Sequence, residues 1–289
     1  MKSTENKAFI DVDAVFKGKN PKLYSMLPKV FFSWLKKTVH QEEINSFISR
    51  NNHLFDFEFV DAIIKEFEVT VEIKGLEHLP ESGGFVVAAN HPLGGLDAIA
   101  LIQSVGKKRK DVRFIVNDIL LKLVNLKGLF IGVNKHGKND SQTHKNLDDL
   151  YASGMGVLIF PAGLVSRKSN GIIRDLVWKK SFIIKSKKNG LPVIPTFIDG
   201  ENSSFFYNLA NFRKKIGVKA NIEMLYLPDE MYKQKGRRIR IIFGKPVASS
   251  SLDNPSNEIE WAEKMKSMVY DLETSSVKDN QSRLADLNA

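Results

Sequence analysis

Residues 85–97 read Phe-Val-Val-Ala-Ala-Asn-His-Pro-Leu-Gly-Gly-Leu-Asp and decide the fold class. The apolar run over 85–89 predicts a buried strand, and Pro92 with the glycine pair after Leu93 predicts a shaped turn. A helical pattern begins at Asp97. A strand that turns directly into a helix is the repeating unit of an α/β sheet, and reacting groups in such sheets lie at the carboxyl ends of the strands.

The same alternation of strand and helix continues on both sides of this stretch. Residues 69–73 alternate apolar and polar side chains, as a half-buried strand does. Further apolar runs predict strands at 112–116, 129–133, 157–160, 193–197 and 239–243. Helical patterns lie between most of them, at 97–105, 119–124, 142–153 and 174–188. We therefore predict an α/β fold with a largely parallel central sheet and helices on both faces.

The opening of the chain predicts helices instead of a sheet. An apolar stripe runs from Leu23 to Val39 at steps of three and four, and a second stripe covers 55–67. The stripe around Trp34 fits two roles equally, contact with a membrane interface or packing against the α/β domain. We expect a helical region over 1–68, an α/β domain over 69–250, and a C-terminal helix with a polar tail over 251–289.

The chain of 289 residues carries 43 basic and 33 acidic side chains, a formal net charge of +10, and no cysteine. The absence of cysteine excludes a disulfide scaffold, a thiolate metal site and a cysteine nucleophile. The basic excess indicates an anionic partner, which is a nucleic acid, a membrane surface or a phosphorylated metabolite. No apolar run approaches the roughly 18 residues of a membrane-spanning helix, and the polar N-terminus lacks a secretory signal. We expect a cytoplasmic protein that is peripheral on the inner face of the cell membrane.

His91 and Asp97 flank the predicted turn and carry its chemistry. A carboxylate that accepts a hydrogen bond from one imidazole nitrogen fixes the tautomer and leaves the other nitrogen as a general base. The alternative is structural, with His91 closing the strand and Asp97 capping the helix. The six histidines show no metal-ligand spacing, so we expect no metal site.

Residues 90–97 resemble the first motif of the lysophospholipid (glycerolipid) acyltransferase superfamily. That motif has four residues between histidine and aspartate, whereas this chain has five, as is usual in the hemolysin-like branch that includes aminolipid O-acyltransferases. The resemblance covers about 70–250 and implies an acyltransferase fold. It implies a catalytic base at His91, a residue that orients the base at Asp97, and substrate-binding residues at Asn90, Gly94 and Gly95.

Residues 160–167, Phe-Pro-Ala-Gly-Leu-Val-Ser-Arg, are similar to the third motif of the superfamily. They keep the spacing of that motif, with alanine in place of its glutamate. The resemblance implies substrate binding by Gly163 and Ser166, with backbone N–H groups around Gly163 as donors to an oxyanion. It also implies substrate binding by Arg167 and Lys168, for which a solvated basic loop is the alternative.

Two weaker similarities complete the predicted site. Residues 128–134 resemble the second motif but lack its arginine, so that Lys135 is the nearest cation. Residues 200–207 resemble the Gly-x-Asn-Ser segment of the hemolysin-like branch, which implies substrate binding by Asn202 and Ser203. An ordinary turn with an N-capping serine is an equal alternative for that segment.

The resemblance implies transfer of a fatty acyl group from an acyl carrier protein or coenzyme A thioester to the hydroxyl of a lysolipid, without a metal or cofactor. The missing motif arginines and glutamate disfavour a phosphate headgroup, because arginine binds phosphate bidentately. A lyso-aminolipid, such as an N-acylated glycine or ornithine with a free hydroxyl, therefore fits better than the alternative, 1-acylglycerol 3-phosphate. A basic nucleic-acid-binding protein is a second alternative, disfavoured because no binding module is recognisable. The net charge then indicates docking to an anionic membrane.

Overall fold

The strand predicted over 85–89 lies at the centre of a seven-stranded sheet. The computed structural model describes residues 8–133, 141–253 and 257–287. The strands in those ranges are β1 (Thr70–Lys74), β2 (Phe85–Ala89), β3 (Val112–Asn117), β4 (Phe130–Val133), β5 (Gly156–Ile159), β6 (Arg167–Ser169), β7 (Ile172–Arg174), β8 (Val193–Ile198) and β9 (Arg238–Phe243).

The sheet order is β1-β9-β8-β2-β5-β3-β4, and β6 pairs with β7 in a separate hairpin. Strands β8, β2, β5, β3 and β4 run parallel, whereas β9 is antiparallel to β8 and parallel to β1. The carboxyl ends of the parallel strands and the amino end of β9 therefore meet at one edge of the sheet, the His91 edge. The prediction of a largely parallel α/β sheet is confirmed.

Helices cover both faces of this sheet, as predicted. Alternate residues of β2 point to opposite faces. Phe85 and Val87 pack with α5 and α6, while Val86 and Ala88 pack with α7, α8 and α11. The α-helices of the described ranges are α1 (Val12–Lys19), α2 (Pro21–Met26), α3 (Lys29–Thr38), α4 (Gln41–Arg50), α5 (Asp56–Glu66), α6 (Gly95–Gly106), α7 (Ser141–Ala152), α8 (Ser181–Asn189), α9 (Ser204–Lys215), α10 (Leu227–Tyr232) and α11 (Glu258–Leu287).

The apolar stripe over 23–39 folds as two helices, α2 and α3, and not as the single helical face that its period predicts. Pro28 separates them, since proline disfavours helical backbone at the residue before it, and Leu27 is extended with ψ 140°. Helix α3 buries Phe32 and Leu35 in a small apolar cluster with α1. Across the described ranges, no helix has both the length and the apolar composition needed to cross a bilayer.

The helix predicted over 174–188 is wrong for its first half. Asn170 and Gly171 have positive φ values of 50° and 82° and make the two-residue turn between β6 and β7. Asp175 therefore lies in the segment that connects this hairpin to α8, and not on a helix. Residues 119–124 likewise form parts of two short 3-10 turns instead of an α-helix.

Candidate active site

His91 stands just beyond the carboxyl end of β2, beside Asp97. Its Nδ1 lies 2.9 Å from Asp97 Oδ2. Because a carboxylate accepts hydrogen bonds, Nδ1 carries the proton and Nε2 presents its lone pair. Nε2 has no hydrogen-bond partner among the described residues, and 16% of the side chain is exposed. The arrangement suits a general base whose tautomer is fixed by the hydrogen bond to Asp97.

Asp97 is completely buried in the first turn of α6 and holds the His91 loop in shape. Its Oδ2 accepts hydrogen bonds from the backbone N–H groups of Leu93 at 2.9 Å and Gly94 at 3.2 Å. Its Oδ1 accepts from Ala98 N–H at 2.8 Å. The N-cap of α6 is Gly94 and not Asp97, which is the third residue of the helix. Asp97 still closes the start of α6 by accepting the Gly94 N–H, and the same carboxylate binds the imidazole.

The two glycines of the loop allow the close approach of α10. A Cβ at Gly94 would lie 3.1 Å from Leu227, and one at Gly95 would lie 2.9 Å from Met231. Gly94 also has a φ of +94°, which glycine adopts without strain. Their structural role is to let α10 close over the His91 loop, while their role in substrate binding stays a prediction.

The ring of Phe160 is the wall against which His91 stacks, with ring centroids 4.1 Å apart and an interplanar angle of 19°. Phe160 directly follows β5 and begins the turn of the third motif. Within that turn the Gly163 N–H donates to the Phe160 carbonyl at 3.0 Å, so this N–H is already used inside the turn. A Cβ at Gly163 would lie 3.5 Å from Lys179 Nζ, which puts a cation beside the turn. No sequence signal assigned Lys179 to the site.

Asp175 is a buried acid beneath the site that the sequence analysis also missed. Its Oδ1 accepts from the His91 backbone N–H at 3.2 Å and from Ser166 Oγ at 2.6 Å. Its Oδ2 accepts from Trp178 Nε1 at 2.9 Å, and its own N–H donates to Tyr270 Oη at 2.8 Å. Burial raises the pKa of Asp175, and these hydrogen bonds oppose that rise. Asp175 therefore holds the backbone of His91 in place. Ser166 binds the same carboxylate, so its side chain serves this support.

Asn90 and Asn202 join the His91 loop to the strand beside it. Asn90 Nδ2 donates to the Ile198 carbonyl at 2.8 Å, and its Oδ1 accepts from the Ile198 N–H at 2.7 Å. Asn202 Nδ2 donates to the Pro92 carbonyl at 3.0 Å. Both polar atoms of the Asn90 side-chain amide therefore bind within the fold, whereas Asn202 Oδ1 is buried without a partner in the described part of the chain.

Ser203 is the N-cap of α9, as the structural alternative for this segment predicts. Its Oγ accepts from the Phe206 N–H at 3.3 Å and donates to Glu230 Oε1 at 2.6 Å. The Ser203 N–H donates to the other carboxylate oxygen of Glu230 at 2.5 Å. Ser203 thereby ties α9 to α10 beside Asn202.

Arg167 is buried, and its guanidinium binds other groups than His91. Its Nη2 donates to Glu223 Oε1 at 2.8 Å, and Arg213 binds the same carboxylate. The solvated-loop alternative fails for Arg167 too, because the guanidinium is enclosed. Lys168 is half-buried and lines a cavity beside Asn202. Lys135 lies outside the described residues.

The sequence predicts no metal site, and this stays a prediction. No group of three or more histidine or acidic residues in the described ranges is arranged to hold a metal ion. The site holds one oriented imidazole, with the Lys179 ammonium group and the backbone N–H groups of the Gly163 turn beside it.

The amino-acid sequence that forms this site is similar to those of known acyltransferases. A family model described as Acyltransferase matches residues 14–278. A protein of Bacteroides thetaiotaomicron named lyso-glycine lipid O-acyltransferase is 42% identical over 271 residues, which cover 93% of this chain and 100% of the relative. A protein of Phocaeicola vulgatus with the same name is 41% identical over 273 residues, covering 94% of this chain and 98% of the relative.

Among solved structures, the 1-acyl-sn-glycerophosphate (LPA) acyltransferase of Thermotoga maritima aligns with a TM-score of 0.44 and 18% sequence identity. The alignment covers 85% of this chain and 97% of that one.

Proposed function

The chain belongs to the acyltransferase family and is an O-acyltransferase, and we propose that its acceptor is a lyso-glycine lipid. Both curated relatives carry that name and align over nearly their whole length. The names of these relatives support the acceptor, and the observation that carries the reaction is the His91–Asp97 pair, with Nδ1 2.9 Å from Asp97 Oδ2 and Nε2 open. Such a pair activates a hydroxyl without a covalent intermediate on the protein.

The proposed reaction begins with the acceptor hydroxyl beside His91 Nε2. As the hydroxyl oxygen attacks the thioester carbonyl carbon, Nε2 takes its proton, and Asp97 stabilises the imidazolium that forms. The tetrahedral oxyanion collapses, the carbon–sulfur bond breaks, and Nε2 returns the proton to the leaving thiolate. The products are an ester and a thiol, and His91 ends in its starting form.

Two features beside the imidazole support stabilisation of the oxyanion. Lys179 Nζ lies next to Gly163, where its positive charge favours a developing negative charge. Backbone N–H groups of the same turn are the further donors, although that of Gly163 itself is used by the turn. The donor is an acyl carrier protein or coenzyme A thioester in this proposal, and the transfer uses no metal or cofactor.

An exposed apolar surface supports attachment to the inner face of the cell membrane. Rings connect the N-terminal helices to the α9 region, since Tyr226 lies 6.2 Å from Trp34 and 4.9 Å from Phe205 between ring centroids. Val30 on α3 and Phe212 on α9 are 78% and 59% exposed. We call this the aromatic surface, and its exposed members are Val30, Trp34, Phe205, Phe212, Ile216, Ile222 and Leu225.

Exposed lysines flank the aromatic surface, and they fit an anionic leaflet. Lys29 neighbours Val30, while Lys214 and Lys215 close the last turn of α9. Each such charge near an anionic membrane contributes on the order of 1 kcal/mol. Apolar side chains with basic neighbours are typical of proteins that lie on a membrane without crossing it.

Acyl transfer by the purified protein tests the proposed reaction. The chain has no cysteine, so any free thiol detected comes from the acyl donor. We expect thiol release and ester formation when palmitoyl carrier protein or palmitoyl coenzyme A is supplied with lyso-glycine lipid. Faster transfer to lysophosphatidate than to lyso-glycine lipid would overturn the proposed acceptor.

Co-sedimentation with vesicles tests the membrane proposal. We expect the wild type to bind vesicles of phosphatidylglycerol and phosphatidylcholine, and Val30→Ser/Phe212→Ser to bind about tenfold more weakly, because each side chain buries apolar area in the bilayer. Ile259→Ser is the matched control, since Ile259 is 52% exposed on α11. Equal binding by both variants would rule out the aromatic surface as the contact.

A further inference from the structure

A cavity of about 450 Å³ opens at the His91 edge of the sheet, between the loop after β8 and the start of β9. Because β9 is antiparallel to β8, it begins where β8 ends, so both walls of the cavity belong to this edge. The polar and basic residues of its lining include Lys168, Asn202, Ser203, Lys233, Gln234 and Arg237.

The cavity lies next to the His91 loop. Strand β8 is the direct neighbour of β2, with Ala89 opposite Thr196, and neighbouring strands are about 4.8 Å apart. The loops that follow the two strands are joined by the hydrogen bond from Asn202 to the Pro92 carbonyl. One small ligand can therefore reach both His91 and the cavity.

The cavity wall carries basic groups that the fold does not use. The buried carboxylate of Glu230 is satisfied by Ser203 and by Lys233 Nζ at 2.8 Å. The charged groups of the Lys168 and Arg237 side chains, by contrast, have no hydrogen-bond or ion-pair partner in the described ranges, and the exposed Glu201 is also in the lining. Two unpaired cations facing one space favour an anionic group within it.

Asn202 supplies the second requirement, an acceptor that lacks a donor. The residue is 4% exposed, and its Oδ1 has no hydrogen-bond partner within the described residues. Its orientation is fixed, because Nδ2 is bound to the Pro92 carbonyl. A buried acceptor left without a partner is costly, and a ligand N–H would satisfy it.

We propose that this cavity binds the headgroup of the acceptor, a secondary amide followed by a carboxylate. The amide N–H donates to Asn202 Oδ1, the carboxylate binds Lys168 and Arg237, and the acceptor hydroxyl then lies at His91 Nε2. The assignment rests on the proposed function, since an N-acylated glycine carries these groups in this order. It makes Lys168 and Arg237 the residues that select a carboxylate headgroup.

The test compares lyso-glycine lipid with its methyl ester, which keeps the amide and hydroxyl but loses the negative charge. For the wild type we expect the KM for the ester to be about tenfold higher than that for the acid, the size expected for a lost charge-assisted hydrogen bond. For Lys168→Gln/Arg237→Gln we expect the KM for the acid to rise to that of the ester, with kcat unchanged. Urea unfolding with the midpoint of the wild type shows that the variant is folded.

Arg238→Gln is the matched control, because Arg238 is adjacent and exposed but pairs with Glu72 at 3.6 Å and does not line the cavity. We expect it to retain the preference of the wild type. Equal KM values for acid and ester in the wild type, or a double variant that keeps the preference, would overturn the headgroup site. Absence of transfer to either compound, with transfer to another lysolipid, would instead overturn the proposed function.

Discussion

Asp97 and Glu223 are two completely buried carboxylates that bind basic side chains, and the two clusters use these carboxylates differently. In the first, Asp97 accepts from one nitrogen of His91 and leaves the other open to the site. In the second, Glu223 is enclosed between Arg167 and Arg213, and its carboxylate occupies both guanidinium groups. The comparison teaches that a charged residue in a family motif is a candidate for chemistry only if the fold leaves one of its polar atoms unused.

The arginine cluster has the properties of a structural joint. It connects β6, α9 and the 3-10 turn over 222–226, and Glu223 is completely buried. Burial alone would raise the pKa of Glu223, but the Arg213 hydrogen bond and the two arginine charges outweigh it and hold the pKa below its usual value. The cluster therefore stabilises the fold while Glu223 is ionised.

The largest effect that we expect is on catalysis, from the open nitrogen of the first cluster. His91→Ala should lower kcat about 10⁴-fold, because the hydroxyl loses its base. The free energy of unfolding should change little, since 16% of the His91 side chain is exposed and Asp97 keeps its backbone donors. Thiol release measured beside urea unfolding checks both. Wild-type turnover in this variant would show that His91 is not the base, and the first cluster would then be structural like the second.

The second expected effect is on stability, from the closed cluster. Glu223→Gln should lower the free energy of unfolding by about 3 kcal/mol, because it leaves two buried guanidinium groups without a counter-charge. The turnover per folded molecule should stay near that of the wild type, as no atom of Glu223 contacts His91 or Asp97. Urea unfolding gives the free energy, and the folded fraction calculated from it corrects the turnover for unfolded protein.

The pH dependence of this second effect follows from the lowered pKa of Glu223. A carboxyl group whose pKa is depressed by folding contributes stability above its unfolded pKa, near 4.5, and loses it as the pH falls through the folded value. The stability difference between the wild type and Glu223→Gln should therefore be constant near neutral pH and shrink below about pH 4.5. A difference that stays constant into acid would contradict the ionised cluster.

The sequence predicted the first cluster and the fold more successfully than it predicted the surroundings. The apolar run of β2 and the His91–Asp97 spacing are local signals, so the sheet and the nearness of the pair follow from them. Asp175 lies in the segment that follows a hairpin. The Asn170–Gly171 turn marks this hairpin, whereas the periodicity of residues 174–188 predicts a helix that includes Asp175. The partner of Arg167 lies 56 residues away, and no periodicity reports such a contact.

Asp175 offers an intermediate test, because it acts on His91 only through the backbone. Asp175→Asn should lower kcat about tenfold and leave the KM for the acceptor unchanged, since Asn presents an N–H to Trp178 Nε1 and loosens the segment that bonds to the His91 N–H. A role limited to folding would lower the unfolding free energy with normal kcat in the folded fraction. Kinetics and urea unfolding of the same sample separate the two.

The smallest effect that we expect is that of Arg167→Met, and this variant tests the difference between the two clusters directly. Removing Arg167 leaves Glu223 and Arg213 as a neutral pair, and methionine fits the apolar neighbours Phe206 and Met224, so the free energy of unfolding should fall by only about 1 kcal/mol. Both kcat and KM for lyso-glycine lipid should stay within about twofold of the wild type, because the guanidinium is committed to Glu223. If Arg167 bound the acceptor instead, as its motif implies, the KM would rise at least tenfold while stability stayed the same. The two outcomes are opposite in both measurements, so one variant decides whether a motif arginine enclosed by an ion pair belongs to the site or to the fold.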